Sequence, residues 1–459
     1  MASGSRVHLD TAQRPQYYVK DLKVESAKTT TELLQINHEK HHIFFNKSGF
    51  HNHIAHHLLT LFALGATSQE IQQGYDTNVS YQRPPEPLLE SIVDDMHKPD
   101  RFKTYLGKEQ YYHDFLVFFQ KEIEAKTWQR VLNEYLFSRD ERADDLLARL
   151  YAGFLHPIIH VGFGVEFQQP AIIAEGLAQA CVHEVWIRSL FDTVEKAAEK
   201  NRGKGGGKTI VQLLEEVKND EELSNAAHWE DGNKIRDGVM KRALEKLVRV
   251  ASQYTIREDD DLKEKTAEMI NAAGKSANSA VTHSTKAFPV YFTASAQRPP
   301  HQVKLDFYYM HCVTSSIFFS NFLSSANDFL TPATKRRLLE WKVWNDIVMY
   351  ASRRSPDLLL SEITDYKPKQ DSDWDKIILR VNRLEDDGHA SKVVRALANG
   401  QKACEPYENK PGFVIKGDAW RKIGHMAIDS VEAGEPHWTR SCGFDQAWED
   451  VPLRDAAKL

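Results

Sequence analysis

The stretch EGLAQACVHEVWIRSLFDTVEKAAEKN (residues 175–201) carries apolar side chains at helical spacing along most of its length. Side chains three and four residues apart share one face of an α-helix, so this pattern is typical of a long helix. Similar runs predict helices over 53–66, 111–137, 238–254, 258–273, 303–325, 331–352, 374–397 and 417–433. Runs that alternate with period two are nearly absent. The sequence therefore predicts an all-α fold, with a single large multi-helix domain over residues 1–459.

Composition narrows the class of protein. The chain has 459 residues, of which 41% are apolar, which is ample for a large core. The net charge is -6 and the basic residues do not cluster, which argues against a nucleic-acid partner. The N-terminus lacks an apolar signal segment, and no run of about 18 apolar residues follows. We therefore expect a soluble protein with no membrane span and no standard secretion signal.

Four widely spaced cysteines, with no CxxC pair, predict reduced thiols in an intracellular protein. NRGKGGGKTI (201–210) is glycine-rich, but a phosphate-binding loop needs glycine where Arg202 stands. We interpret 202–207 as a flexible surface loop, and 276–302 as a second loop-rich stretch. No G-x-G-x-x-G follows a strand, so the sequence carries no recognisable flavin or nicotinamide fingerprint.

Histidine is the unusual residue type, with 20 copies, several inside apolar runs. A buried histidine needs a hydrogen-bond partner or a metal ion. Helical proteins build metal sites from inward side chains on different helices, and imidazole suits iron, zinc and copper. Histidines that are satisfied inside an ordinary core are the alternative. The segments concerned are FHNHIAHHLL (50–59), FLHPIIHVGFGVEF (154–167), DFYYMHCVTSSIFF (306–319) and EDDGHASKVVRAL (385–397).

Spacing within these segments puts pairs of side chains on one helical face. His53 and His57 are four residues apart. Pro157 suits the first position of a helix, which places His156 beside that start and His160 one turn further on.

These segments resemble the fungal questin oxidase family, whose members act in polyketide pathways and oxidatively open an anthraquinone ring. The most specific stretches are GFHNHIAHHLLTLFALGA, FLHPIIHVGFGVEFQQPAIIAEGLAQA, HCVTSSIFF and DDGHASKVVRAL. The resemblance extends from about residue 40 to 430. It implies a metal set of one histidine from each segment together with a lysine, namely His53, His156, His311, His389 and Lys392. It leaves His57 and His160 beside the ligands, to orient them or to handle a substrate proton.

Lys392 lies three residues after His389, on the same helical face. An ammonium group repels a cation and has no lone pair to give. A neutral amine would bind metal directly, and reaction with CO2 would give a carbamate, an anionic oxygen ligand. We favour the carbamate, because four neutral imidazoles leave the charge of a divalent ion uncompensated. The alternative is a lysine that reaches solvent or pairs with Asp386 or Asp387.

The resemblance implies an Fe(2+)-dependent oxygenase that uses O2 to cleave a ring carbon–carbon bond of an anthraquinone, or of its reduced form, and yields a benzophenone. Phe163, Phe167, Phe307 and Tyr308 would cover the flat substrate, or they simply pack the core. One alternative is a Baeyer–Villiger monooxygenase that uses NADPH on the same substrates. Two others are a metal-free, polyketide-binding helical protein and a hydrolase with a zinc-bound water.

The tail Ala457-Lys458-Leu459 is similar to the peroxisomal signal S-K-L, so we expect either a cytoplasmic or a peroxisomal location.

Overall fold

The computed structural model describes residues 1–202, 208–271 and 290–454, together with the backbone of 273–274 and 286–287. Within these residues the chain is predominantly helical, and the all-α class predicted from the sequence is confirmed. The α-helices are numbered in chain order: α1 Val24–Lys40, α2 Ile54–Ala63, α3 Ser68–Val79, α4 Glu90–Asp95, α5 Pro99–Tyr105, α6 Tyr112–Ala125, α7 Trp128–Leu132, α8 Glu141–Leu150, α9 Ala152–Glu166, α10 Pro170–Val182, α11 Arg188–Asn201, α12 Ile210–Asn219, α13 Glu221–Ser224, α14 Lys241–Ala251, α15 Leu262–Asn271, α16 Val290–Ser295, α17 Phe307–Phe322, α18 Pro332–Ser352, α19 Ser361–Thr364, α20 Trp374–Asn382, α21 His389–Cys404 and α22 Ala419–Glu432.

Shorter elements complete the described chain. Two segments form π-helices, Asn133–Phe137 and Lys234–Met240, and three form 3-10 helices, Glu109–Tyr111, Glu405–Tyr407 and Asp445–Trp448. The strands β1 (Ala273–Gly274) and β2 (Lys286–Ala287) pair antiparallel. Among the described residues, no single helix is long and apolar enough to cross a membrane, whereas α8 and α9, bent by 98°, meet the length and composition criteria together.

Two compact units make up the chain. Unit 1 comprises Met1–Arg188, Ser325–Thr331 and Ile378–Arg395, and unit 2 comprises Ser189–Ser324, Pro332–Ile377 and Ala396–Leu459. The single domain over 1–459 stays a prediction. Residues 203–207 of the expected glycine-rich loop and the tail 455–459 lie outside the described residues. Of the loop-rich stretch predicted over 276–302, residues 276–285 and 288–289 lie outside the described residues, and Val290–Ser295 forms α16.

Three predicted helices are broken in the structure. The run 111–137 divides into α6, α7 and a π-helix. The run 175–201 is broken after α10, where the imidazole of His183 lies 2.9 Å from that of His51 and the carbonyl of His183 accepts a hydrogen bond from Arg149. The run 374–397 is broken between α20 and α21, where the Asp386 carboxyl binds backbone N–H groups. In the last two cases, polar contacts override the helical periodicity.

In unit 1, α9 and α10 pack closely enough to bring side chains of the two helices into contact. A Cβ atom on Gly176 would lie 2.7 Å from the backbone nitrogen of Val161, and one on Gly164 would lie 2.7 Å from that of Ile173. Only glycine permits so close an approach. As a result Glu175 on α10 lies opposite His160 on α9, with 2.7 Å between Oε2 and Nε2.

Candidate metal centre

Asn52 fixes the position of His53 at the start of α2. Its Oδ1 accepts the N–H of Ile54 at 2.9 Å, and its Nδ2 donates to Asn37 Oδ1 at 2.8 Å. Such a side-chain contact satisfies one of the unpaired N–H groups at a helix start. His53 therefore lies directly before the helix, in a buried position held by its neighbour.

A left-handed turn positions His156. Gly153, Phe154 and Leu155 have φ angles of 52°, 55° and 70°, and they interrupt α9 before His156. Two consecutive non-glycine residues with positive φ are strained, and such strain clusters at functional sites. The turn directs the carbonyl of Gly153 to His156, whose Nδ1 donates to it at 2.6 Å.

His389 is the first residue of α21, and the turn before it requires glycine. Asp386 accepts the N–H groups of Gly388 and Ala390, each at 2.9 Å. Gly388 has a φ of +86°, and a Cβ atom there would lie 2.6 Å from Cβ of His57. A larger residue would suffer both backbone strain and a clash.

These three local structures bring His53, His156 and His389 together, and we call them the histidine cluster. One ring nitrogen of each lies within 4.8 Å of the other two, and all three residues are buried. The Nε2 atoms of His53 and His156 are 2.8 Å apart. Asp387 lies beside the cluster, where it accepts from Nδ1 of His389 at 2.5 Å and lies 3.4 Å from Nδ1 of His53.

The hydrogen bonds of the cluster determine which ring nitrogens carry protons. The Gly153 carbonyl and the Asp387 carboxylate only accept, so the Nδ1 atoms that they bind carry the protons. Burial, with Lys392 and His389 nearby, lowers the pKa of His53 to about 3. A neutral imidazole protonated at Nδ1 has a lone pair at Nε2. Two lone pairs only 2.8 Å apart repel unless a proton or a cation lies between them.

The donors present therefore fit a metal ion. Imidazole nitrogens that share one ion at about 2.0–2.1 Å lie about 3–4 Å from each other, comparable to the spacings here. Burial opposes ionisation of Asp387, but His389 and His53 hold its pKa well below the usual range. A carboxylate behind ligating histidines fixes their rings and makes them better donors.

Two buried cations on α21 differ sharply in their surroundings. Arg395 donates to Glu166 at 3.1 Å and 2.5 Å and to the carbonyl of Tyr17 at 3.0 Å. The amino group of Lys392, one turn earlier, has no hydrogen-bond or ion-pair partner among the residues described in the structure. Burial, opposed by Asp387 and Asp386, lowers the pKa of Lys392 to about 8. An amine with this pKa loses its proton more readily than an ordinary lysine, and both metal binding and carbamate formation require that loss.

The structure places His160 away from the cluster, in a second group. Its Nδ1 lies 3.0 Å from Nε2 of His56, and its Nε2 lies 2.7 Å from Oε2 of Glu175. Oε1 of Glu175 in turn accepts from Nδ1 of His38 at 2.6 Å. We call His38, His56, His160 and Glu175 the histidine row.

His57 is buried and lies against Gly388, with Asn78 Nδ2 3.5 Å from its Nδ1. Burial lowers its pKa to about 4. Roles for His57 and His160 in proton handling stay predictions. His311 belongs to unit 2, where its Nδ1 donates to the carbonyl of Phe307 at 2.6 Å, and its place as a fourth ligand also stays a prediction.

Sequence reasoning missed the parts that orient the histidines. The sequence indicates Asp387 only as a partner of Lys392, although an acid two residues before a proposed ligand is also a signal for a supporting carboxylate. Glu175 is a lone charge in the apolar run AIIAEGLAQA, which indicates a buried partner. The Gly153 carbonyl left no signal, because it depends on a backbone turn.

Comparison with known proteins identifies the family of the chain. The sequence profile described as "Questin oxidase-like" matches residues 50–397, which is most of the chain and includes every member of the cluster. The chain belongs to the questin oxidase-like family, and it is an oxidoreductase.

The chain is similar over nearly its whole length to several proteins from fungi. It is 38% identical to the Baeyer-Villiger oxidase ptaJ of Pestalotiopsis fici, covering 93% of this chain and 94% of that protein. It is 35% identical to a questin oxidase of Aspergillus fumigatus, covering 98% and 100%. It is also 35% identical to the oxidoreductase AflY of Aspergillus parasiticus, covering 97% and 93%.

Proposed function

We propose that this protein is a metal-dependent oxygenase, with iron as its ion, that cleaves a ring carbon–carbon bond of an anthraquinone-type polyketide in its reduced form. The observation that carries the proposal is the convergence of three buried histidines, with two Nε2 atoms 2.8 Å apart. Histidine-rich sites with open positions are typical of non-haem iron oxygenases. The relative named questin oxidase supports the substrate class.

His53, His156 and His389 would hold the ion, with Lys392 as its carbamate and His311 as further ligands. Bound iron would supply the one-electron chemistry that lets O2 react with an organic substrate. The protein groups around it have defined tasks. Asp387 accepts from His389 and balances positive charge, and the Gly153 carbonyl holds the His156 ring. Phe163 stacks against His56 with 5.2 Å between ring centroids, which places an aromatic face beside the row.

The test combines elemental analysis of the purified protein with O2 uptake on a panel of reduced anthraquinones. We expect iron near one equivalent and O2 uptake that is lost after chelation and restored by Fe(2+). His113→Gln is a matched control, because Nδ1 of His113 lies 2.8 Å from the carbonyl of Glu86, outside the cluster and the row. Protein that turns over substrate fully after chelation would exclude the metal.

Lys392 needs its own variants. Lys392→Ala should lose metal and turnover, and a short added carboxylic acid should restore part of both if a carbamate is the ligand. Lys392→Arg keeps the charge but has no lone pair to offer, so it should fail as well. Full activity of Lys392→Arg would remove the lysine from the proposed ligand set.

The second candidate is an NADPH-dependent Baeyer–Villiger monooxygenase, which the names of several relatives favour. The two functions differ in their reductant. Omission of NADPH should leave O2 uptake on an already reduced anthraquinone unchanged under our proposal. A strict requirement for NADPH, with one equivalent oxidised per turnover, would favour the second candidate.

A further inference from the structure

The histidine row connects a buried carboxylate to a ring beside the cluster. His56 stacks near His53, with 5.8 Å between ring centroids, and it is fully buried. At the other end of the row, Gln120 donates to Nε2 of His38 at 2.8 Å. Among the described residues, Nδ1 of His56 has no hydrogen-bond partner.

The row has a direction, and Glu175 sets it. Burial opposes ionisation of Glu175, but contacts with His160 and His38 lower its pKa to about 2, so the carboxylate only accepts. His160 must then donate from Nε2, which leaves the lone pair of a neutral ring at Nδ1. That lone pair accepts the Nε2–H of His56.

The orientation of His56 follows from this sequence of donors and acceptors. A neutral imidazole with its proton at Nε2 has its lone pair at Nδ1. A buried acceptor without a donor is costly in free energy, so a ligand that supplies a hydroxyl group would be bound favourably there.

We propose that Glu175 is a positioning residue that acts through His160 to present the Nδ1 lone pair of His56, and that this lone pair accepts a hydrogen bond from a phenolic hydroxyl of the substrate. The substrate class rests on the proposed function, because a reduced anthraquinone carries hydroxyl groups on its central ring. The orientation of His56 does not rest on it.

The first test reads the tautomer directly, by 15N NMR of histidine-labelled intact protein, with His56 assigned from the His56→Gln spectrum. We expect an unprotonated Nδ1 in the wild type. His160→Gln should keep it, because the amide oxygen accepts from His56 while the NH2 group donates to Glu175. His160→Leu should lose it. Gln179→Leu is the control, since Gln179 is one turn from Glu175, equally buried and outside the row.

The second test adds an anthrahydroquinone under anaerobic conditions and compares it with its dimethyl ether, which has no hydroxyl donor. We expect the hydroxylated compound alone to shift the His56 Nδ1 resonance. It should bind His160→Leu about tenfold more weakly than wild type, with less than about a threefold change for His160→Gln.

Each contrary outcome is specific. A protonated Nδ1 in the wild type, or an unchanged tautomer in His160→Leu, overturns the positioning role of Glu175. Equal shifts with both compounds overturn the hydroxyl contact. A correct tautomer and a correct shift, without O2 uptake on any reduced anthraquinone, would refute the proposed function and leave this inference standing.

Discussion

The histidine cluster and the histidine row lie in the same unit and use the same residue type, but their hydrogen bonds differ. In the row, both ring nitrogens of His38 and of His160 have partners. In the cluster, Nδ1 of His156 and of His389 is held by an oxygen atom, and two Nε2 atoms lie 2.8 Å apart. Apart from Nδ1 of His56, the ring nitrogens of the row have partners, and a satisfied polar network makes a core rigid and specific. Converging lone pairs instead repel each other unless a cation binds between them. We therefore propose that the row stabilises the core and orients its rings, and that the cluster binds a metal ion.

The largest expected effect separates two histidines one turn apart on α9. His156→Gln removes a proposed ligand, and we expect metal content near zero and turnover lower by at least about 100-fold, beyond the 10–100-fold typical of supporting residues. His160→Gln should retain metal within about twofold. The measurements are elemental analysis and O2 uptake on the same preparations. Normal metal occupancy in His156→Gln would mean that the cluster, like the row, is a structural network and that His156 is not a metal ligand.

Glu175 gives the row a signature in acid. Its pKa is lowered from 4.5 to about 2, so the carboxylate stabilises the folded state fully above about pH 4.5. That stabilisation is lost as the pH falls from there towards 2. The shift corresponds to roughly 3 kcal/mol. Urea denaturation at pH values from about 5 to about 3 measures the free energy of unfolding. This free energy should fall more steeply with pH for wild type than for Glu175→Gln. If the free energy of unfolding changes with pH in parallel for the two proteins, Glu175 is not the ionised group of the row.

The sequence predicted the helical class well, because helical periodicity is a local property. It predicted helix ends less well. The runs 175–201 and 374–397 continue across breaks that depend on distant partners, such as His51 for His183. A periodic pattern has no information about a side chain that contacts it from 132 residues away.

In the candidate site, too, features that depend on distant contacts could not be predicted from the sequence. His53, His156 and His389 were identified from the family resemblance, since their spacing alone leaves a satisfied core as an alternative. The division of labour between His156 and His160 was not predictable, because both lie on one helix in similar apolar surroundings. The difference comes from the turn at Gly153 and from Glu175 on the neighbouring helix.

Two adjacent carboxylates allow a finer comparison within the site. Asp387 accepts from Nδ1 of His389 and lies near His53, whereas Asp386 accepts backbone N–H groups at the start of α21. Asp387→Asn loses the charge that orients the ligands, so we expect metal affinity to fall about 10–100-fold. Competition with a chelator of known affinity measures this change. Unaltered affinity would show that the histidines keep their orientation without the carboxylate.

Asp386→Asn should have the smallest effect on metal affinity among these variants. It serves as a control for Asp387→Asn, because it removes the same charge from the adjacent residue. Burial and the neighbouring Asp387 raise the pKa of Asp386 to about 6, so this carboxyl group gains a proton more readily than an ordinary aspartate. Asparagine keeps one of the two oxygen acceptors that bind these N–H groups and begins a helix about as well as aspartate, whereas Asp386→Ala loses both acceptors and should lower the free energy of unfolding by about 1 kcal/mol. We therefore expect metal affinity within about threefold of wild type for Asp386→Asn, which is less than the energy of one ordinary hydrogen bond. If Asp386→Asn loses metal as strongly as Asp387→Asn, the two carboxylates act as one charged unit, and orientation of the histidines cannot be assigned to Asp387 alone.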